Sequence, residues 1–210
     1  MTVIIHGAPE STCTRRVALV CRELGIEYKL NSVAWSDIKK PEHLEIQPFG
    51  QLPVLEDDGF FLFESRAISR YLTLKYGADS GLLPPANDLH ALARFEAAAS
   101  IEQADFDPYA AGIVWEKLHK LFTGGMTDEV RAAELTATLD RKLDGYERIL
   151  SKSKYLAGEN LTLADLFHVP YGYLIDEQLK SDLLKKRPNV ARWYTELAAR
   201  PSWQAVKNGA

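Results

Sequence analysis

The residues Ser11-Thr12-Cys13-Thr14-Arg15-Arg16-Val17 follow a short apolar run, Val3-Ile4-Ile5, and open a helical pattern carried by Val17, Val20, Cys21 and Leu24. A hydroxyl at such a junction caps the helix by accepting from an orphan backbone N–H. The same place stabilises anions, because the first amides point outward and the helix dipole is positive there. A thiolate set beside it would have a depressed pKa. An ordinary thiol titrates near about 8.5. A fall of about two units, worth about 2.7 kcal/mol, makes it mostly thiolate at neutral pH. A serine hydrogen bond and the dipole together can supply that amount. On this reading Ser11 is neither nucleophile nor base; it donates to a sulfur anion that a substrate brings. The plainer reading, a helix cap and nothing more, stands beside it, because such caps are common.

A second segment, Pro48-Phe49-Gly50-Gln51-Leu52-Pro53, places two prolines around a glycine just ahead of a strand. Leu52-Pro53 is the candidate for a cis bond, since only X-Pro bonds go cis cheaply. Such a bond would turn the Leu52 backbone out to pair with an extended peptide ligand, as an added strand does. The alternative is an ordinary buried loop whose Pro53 begins an edge strand. A third segment, Phe63-Glu64-Ser65-Arg66-Ala67-Ile68, offers Ser65 and nearby amides to a carboxylate and Glu64 to an ammonium group. Together they suit the zwitterionic head of an amino acid. A cap followed by a helix is again the plainer alternative. Lys39 and Lys40 can each meet a carboxylate as a point charge, although most such lysines are simply solvated.

Other chemistries find no footing. The chain has no G-x-G-x-x-G, no Walker A, no H-E-x-x-H and no C-x-x-C. His6, His43, His90, His119 and His168 fall in no ligand spacing, so no metal is expected. Cys13 as a redox thiol lacks a resolving partner. A formal charge of -4 removes the basic excess that nucleic-acid binding needs. No run approaches the roughly 20 apolar residues of a membrane helix, and no signal peptide precedes Val3 to His6. Two cysteines are too few for a disulfide framework, which points to a reducing cytosol.

The elements that must hold these residues read as strand, helix, strand, helix, hairpin, helix. Tyr28 to Val33 is the second strand, Pro41 starts a helix, and Asp57-Asp58-Gly59 turns a hairpin between Leu52–Leu55 and Phe60–Phe63. That order is thioredoxin-like and spans 1–77. A linker, 78–88, holds Pro84-Pro85. An all-helical bundle domain follows over 89–210. Within it, Leu89 to Phe106 is one helical segment that Pro108 breaks or kinks. Leu139, Leu143, Tyr146 and Leu150 form a buried stripe. Thr162-Leu163-Ala164-Asp165 is a capping-box variant. The fold class is thus α/β followed by all-α.

The ordered set of motifs resembles the glutathione transferase superfamily over nearly the whole chain, with the phi class the best match for a serine at the first helix. The segment around Ser11, Arg16 and Val17 comes first. Pro41-Glu42-His43-Leu44, Pro48 to Pro53 and Leu62 to Ile68 then follow in family order. Tyr155-Leu156-Ala157-Gly158-Glu159, leading into Leu161 to Asp165, is similar to the family's folding motif. The resemblance implies reduced glutathione as co-substrate, with no tightly bound cofactor. It assigns Ser11 to activating the sulfur and Gln51 and Lys39 to the glycyl carboxylate. Leu52, ahead of cis Pro53, pairs with the cysteinyl backbone. Glu64 and Ser65 hold the γ-glutamyl head, with Arg66 nearby. Where phi members often carry a histidine, this chain has Ile38, a departure at the glycyl end. A hydrophobic electrophile would lie between the domains, with Thr12, Trp35, Tyr109, Ile113, Trp115, Leu118 and Phe122 as candidate walls; for the helical ones a core role is an equal reading. Conjugation to electrophiles is the expected activity, with glutathione-dependent peroxidase activity beside it, in a cytoplasmic homodimer. A ligandin-type binding protein is the alternative. An interaction module, like the one opening the translation elongation factor gamma subunit, ranks below both because Ser11 is kept.

Overall fold

The computed structural model describes residues 3–210. Its first unit runs to Leu83 and is rejoined by Arg200–Ala210; the second is Pro84–Ala199. In the first unit, β1 (Val3–Gly7), α1 (Thr12–Leu24), β2 (Tyr28–Ser32), α2 (Pro41–Ile46), β3 (Val54–Asp57), β4 (Phe60–Phe63) and α3 (Ser65–Tyr76) follow one another. The sheet order is β2-β1-β3-β4. β2 runs parallel to β1, as a helical crossover requires; β3 and β4 are antiparallel to their neighbours. The β3–β4 turn, Asp58 at φ 51 and Gly59 at φ 82, has the positive dihedrals that a two-residue hairpin needs.

The alternating burial of β1 gives the sheet one apolar face. Val3, Ile5 and Leu55 meet Val17 and Cys21 of α1 and Ile68 and Leu72 of α3 there, forming one core. Gly25 ends α1 at φ 66, with its N–H and that of Ile26 returning to Arg22 and Cys21 carbonyls.

The second unit is helical. α4 (Leu89–Ile101) passes through a π turn at Glu102–Phe106 into α5 (Asp107–Val114). A second π turn, Trp115–His119, leads to α6 (Lys120–Phe122). Pro108 therefore does not break the helix: it sits at the start of α5, where a missing N–H matters least, and the π turn ahead of it absorbs the mismatch. α7 (Glu129–Leu150) buries Leu135, Leu139, Leu143, Tyr146 and Leu150 along one stripe. α8 (Leu163–Leu166) starts at the Thr162/Asp165 capping box. α9 (Val169–Tyr173) and α10 (Pro188–Ala198) complete this unit.

The domain reading needs one correction. Arg200–Ala210, expected in the helical domain over 89–210, groups with the first unit. α11 (Pro201–Val206) buries Trp203 and Val206, and it is tied to α1 through Glu23, which accepts from the Arg200 guanidinium at 2.7 Å and from the Ser202 hydroxyl. The Ala210 N–H also donates to the Pro9 carbonyl at 3.1 Å.

Candidate functional site

The strand register puts the three motifs at one end of the sheet. Gly7, the last residue of β1, pairs with Ser32, the last of β2. His6 pairs with Val54, the first of β3, and Val54 pairs with Phe63, the last of β4. The chain leaving β1 toward Ser11, leaving β2 toward Lys39, entering β3 through Leu52-Pro53 and leaving β4 at Glu64 therefore does so at a common edge. In α/β sheets this is the end where ligands bind.

Ser11 is the N-cap of α1 and is only 8% exposed. Its Oγ accepts from the Thr14 N–H at 3.4 Å, a long bond, and its own N–H donates to Ala8 O at 3.0 Å. A hydroxyl has one proton and two acceptor positions. Capping uses an acceptor position and leaves the proton for a ligand, so the two readings of Ser11 are compatible. Thr12 beside it is also buried, and Cys13 half-buried. Cys21, deeper on α1, is inert: burial pushes its thiol up to about 12, against a weaker pull from Arg22.

The proline-bounded segment is shaped by close approach. Leu52-Pro53 is cis, and the Leu52 backbone lies just ahead of the β3 ladder, which begins at Val54. Gly50 adopts φ +59, and a Cβ there would lie 2.6 Å from the Ile38 carbonyl and 2.8 Å from Lys39 Nζ. Lys39 crosses this glycine and donates to the Phe49 carbonyl at 2.7 Å. One of its three N–H bonds is used there. Lys40, by contrast, pairs with Asp37 at 2.8 Å, which draws the Lys40 ammonium above and the Asp37 carboxyl below their ordinary values. Gln51 is exposed, and its carbonyl accepts from His43 Nε2 at 2.9 Å. Gln47 Oε1 accepts from the Phe49 N–H at 2.7 Å. His43 and Gln47, both buried, steady the segment and were not singled out as supports in the sequence; the only trace was the Pro41 to Leu44 motif.

Glu64 is exposed and holds φ 71, a conformation non-glycine residues adopt at a cost and mostly at functional sites. Ser65 opens α3 and is buried. Its carbonyl accepts from the Ser69 hydroxyl at 2.7 Å, and its Oγ accepts from Arg16 Nη1 at 2.9 Å. Arg66 is half-buried. Arg16, fully buried, is the site residue to which the sequence attached no role.

The candidate electrophile residues separate by unit. Thr12 and Trp35 belong to the first. Trp35 is exposed and donates from its indole to Glu10 at 2.5 Å. Tyr109, Ile113, Trp115, Leu118 and Phe122 belong to the second: Ile113 is buried, Tyr109 and Leu118 are half-buried, and Phe122 is 86% exposed. A cleft of about 420 Å³ within the second unit is lined by Trp115, His119, Arg131 and Tyr171 among others; of the five, only Trp115 reaches it. Among the described residues no cluster of three His, Cys, Asp or Glu side chains could hold a metal. Among the same residues no helix is long and apolar enough to cross a membrane.

Residues 5–80 match the family model of the glutathione S-transferase N-terminal domain, and 106–201 that of the C-terminal domain. The chain is 47% identical over 201 residues to the glutathione S-transferase PM239X14 of Arabidopsis thaliana, covering 92% of this chain and 90% of the relative. The crystal structure of glutathione transferase F7 from Populus trichocarpa superposes with a TM-score of 0.92 at 33% identity, over 97% of each chain. Maize glutathione S-transferase I, solved in complex with an atrazine glutathione conjugate, gives a TM-score of 0.90 at 33% identity, over 98% of this chain and 96% of that one.

Proposed function

The chain belongs to the phi class of the glutathione S-transferase family, and on that footing we propose that it conjugates reduced glutathione to small hydrophobic electrophiles, with Ser11 activating the sulfur. The observation that carries this reading is the convergence of Ser11, Lys39, Leu52-Pro53 and Glu64-Ser65 at one end of the sheet. The tripeptide lies along that edge. Its γ-glutamyl carboxylate meets Ser65 and its ammonium Glu64. The cysteinyl backbone pairs with Leu52, and the glycyl carboxylate reaches Lys39 and Gln51.

The Ser11 proton and the positive end of α1 stabilise the thiolate relative to the thiol. The thiolate attacks the electrophilic carbon, a C–S bond forms, and the leaving group departs with the bonding electrons. Holding both reactants together supplies the remaining advantage. The same thiolate can attack the terminal oxygen of a hydroperoxide: an S–O bond forms, the O–O bond breaks and the alkoxide leaves to be protonated. A second glutathione thiolate then displaces hydroxide from the sulfenic acid to give glutathione disulfide. The active form is a homodimer in the cytoplasm, with Phe49, 63% exposed, among its contacts.

The test is turnover of glutathione with a chlorinated nitroaromatic. Ser11→Ala should lower kcat/KM by roughly 10² or more, the scale for losing one preorganised donor to a bound anion. Unchanged turnover in that variant would remove Ser11 from the chemistry.

A further inference from the structure

Arg16 is a fully buried cation on α1, and neither the resemblance nor the proposed chemistry gives it a role. A guanidinium carries five N–H donors and no acceptor. Its Nη1 lies 2.9 Å from Ser65 Oγ and 3.4 Å from Cys13 Sγ, so in both contacts the partner must accept. The Ser65 hydroxyl has a single proton. With Arg16 donating to that oxygen from inside, the proton must point elsewhere. The Ser65 carbonyl is already taken by Ser69, and the residue stands at the N-terminus of a twelve-residue helix, beside the strained Glu64.

We infer that Arg16 is the positioning residue of the γ-glutamyl head: by fixing Ser65 Oγ as an acceptor on its inner side, it turns the Ser65 proton outward as a donor to the ligand's α-carboxylate. The inference rests on the proposed binding of glutathione at Glu64-Ser65. Polarisation strengthens the donor, because a hydroxyl that accepts from a cation gives up its own proton more readily. The same side chain ties Cys13 in the first turn of α1 to Ser65 of α3, so the sulfur end and the amino-acid end of the site share one strut. Arginine suits this place better than lysine. The two hydrogens of its planar Nη1 stand at fixed angles toward acceptors on two helices, whereas a buried ammonium is a compact, strongly hydrated point charge. Arg16 has further partners as well, so it also contributes to packing.

A purely structural role and a positioning role separate kinetically. The full chain and its Arg16→Lys, Ser65→Ala and doubly substituted forms are assayed with glutathione and with cysteinylglycine, the thiol that lacks the γ-glutamyl head. Arg16→Lys should raise KM for glutathione about tenfold, the scale of one hydrogen bond to a charged group. KM for cysteinylglycine and for the electrophile should stay within about twofold, and the substitution should add nothing once Ser65 is alanine. An equal rise for both thiols, or additive effects in the double variant, overturns the assignment. If the unaltered chain turns over other thiols but not glutathione, the functional reading fails first and the inference with it. Should Arg16→Lys not fold, the unaltered protein still decides: the buried Arg16 guanidinium N–H resonances should shift on saturation with S-methylglutathione and not with cysteinylglycine. Resonances unmoved by both ligands overturn it.

Discussion

Gly50 decides two things at once at the residue scale. Its φ of +59 is a conformation that disfavours any side chain, and the space where a Cβ would stand is occupied by the Ile38 carbonyl and Lys39 Nζ. Gly50→Ala should therefore cost about 1–2 kcal/mol from the backbone alone, and it should push Lys39 off its perch on the Phe49 carbonyl. On the proposed binding mode, in which the lysine meets the far end of the tripeptide and not the sulfur, the expected kinetic signature is a KM for glutathione raised several-fold with kcat nearly kept. A lowered kcat with unchanged KM would place Lys39 elsewhere. Residues of this kind differ in how far the sequence reveals them. Ser11 was legible as a helix cap because few residue types cap helices and a strand-to-helix junction is a local pattern. By residue type alone Lys39 and Lys40 are indistinguishable, and only the resemblance favoured Lys39; in the structure one contacts the Phe49 carbonyl and the other Asp37. Arg16 stood in plain view, but its partner Ser65 lies 49 residues further on, and nothing in a helical pattern names a partner at that distance.

At the scale of elements, the start of α8 shows what a short motif can and cannot disclose. Asp165 is completely buried and its carboxylate accepts four hydrogen bonds: from Thr162 N–H and the Thr162 hydroxyl at 3.0 Å, from Leu156 N–H at 3.0 Å, and from the Trp193 indole at 2.9 Å. The contacts to Thr162 span three residues and were readable. The two that tie α8 to the loop before it and to α10 were not, because they depend on how the helices pack. Asp165→Asn puts an NH₂ donor among four donors and leaves part of this ring unpaired. The expected loss is about 3 kcal/mol in urea unfolding, larger than the roughly 1 kcal/mol for Thr162→Ala. A loss equal to that of Thr162→Ala would mean that the tertiary donors contribute nothing. Pro108 carries the complementary lesson. Its missing N–H signals an interruption, and the chain answers with a π turn inside a helix that continues, an option with no sequence signature of its own.

At the scale of the molecule, the chain returns to its beginning. α11 is six residues long, too short to hold itself together, and its place is set by a partner 177 residues upstream. That separation is why Arg200–Ala210 read as the end of the helical domain. Burial alone would push the Glu23 carboxyl upward; the Arg200 guanidinium and the Ser202 hydroxyl outweigh it and hold the carboxyl below its ordinary value. The sign of the pH dependence follows. A carboxyl whose folded pKa is depressed adds stability above its unfolded value, about 4.3, and that contribution disappears as pH falls through the lower folded value. The attachment of α11 should thus be complete at neutral pH and weaken in the acid range. Glu23→Gln should lower stability by about 1 kcal/mol at pH 7, the low end for a hydrogen-bonded charge because the arginine is partly solvated, and should flatten that part of the acid dependence. Removing Arg200–Ala210 altogether uncovers the surface under Trp203 and Val206, each 1% exposed, a loss of several kcal/mol of apolar burial. The shortened chain should unfold at a lower Tm in calorimetry. Its first unit should show faster amide exchange along α1, around Glu23, while α7 in the second unit keeps its protection. Equal loosening of α1 and α7, or none in either, would show that the closing segment does not belong to the first unit's core.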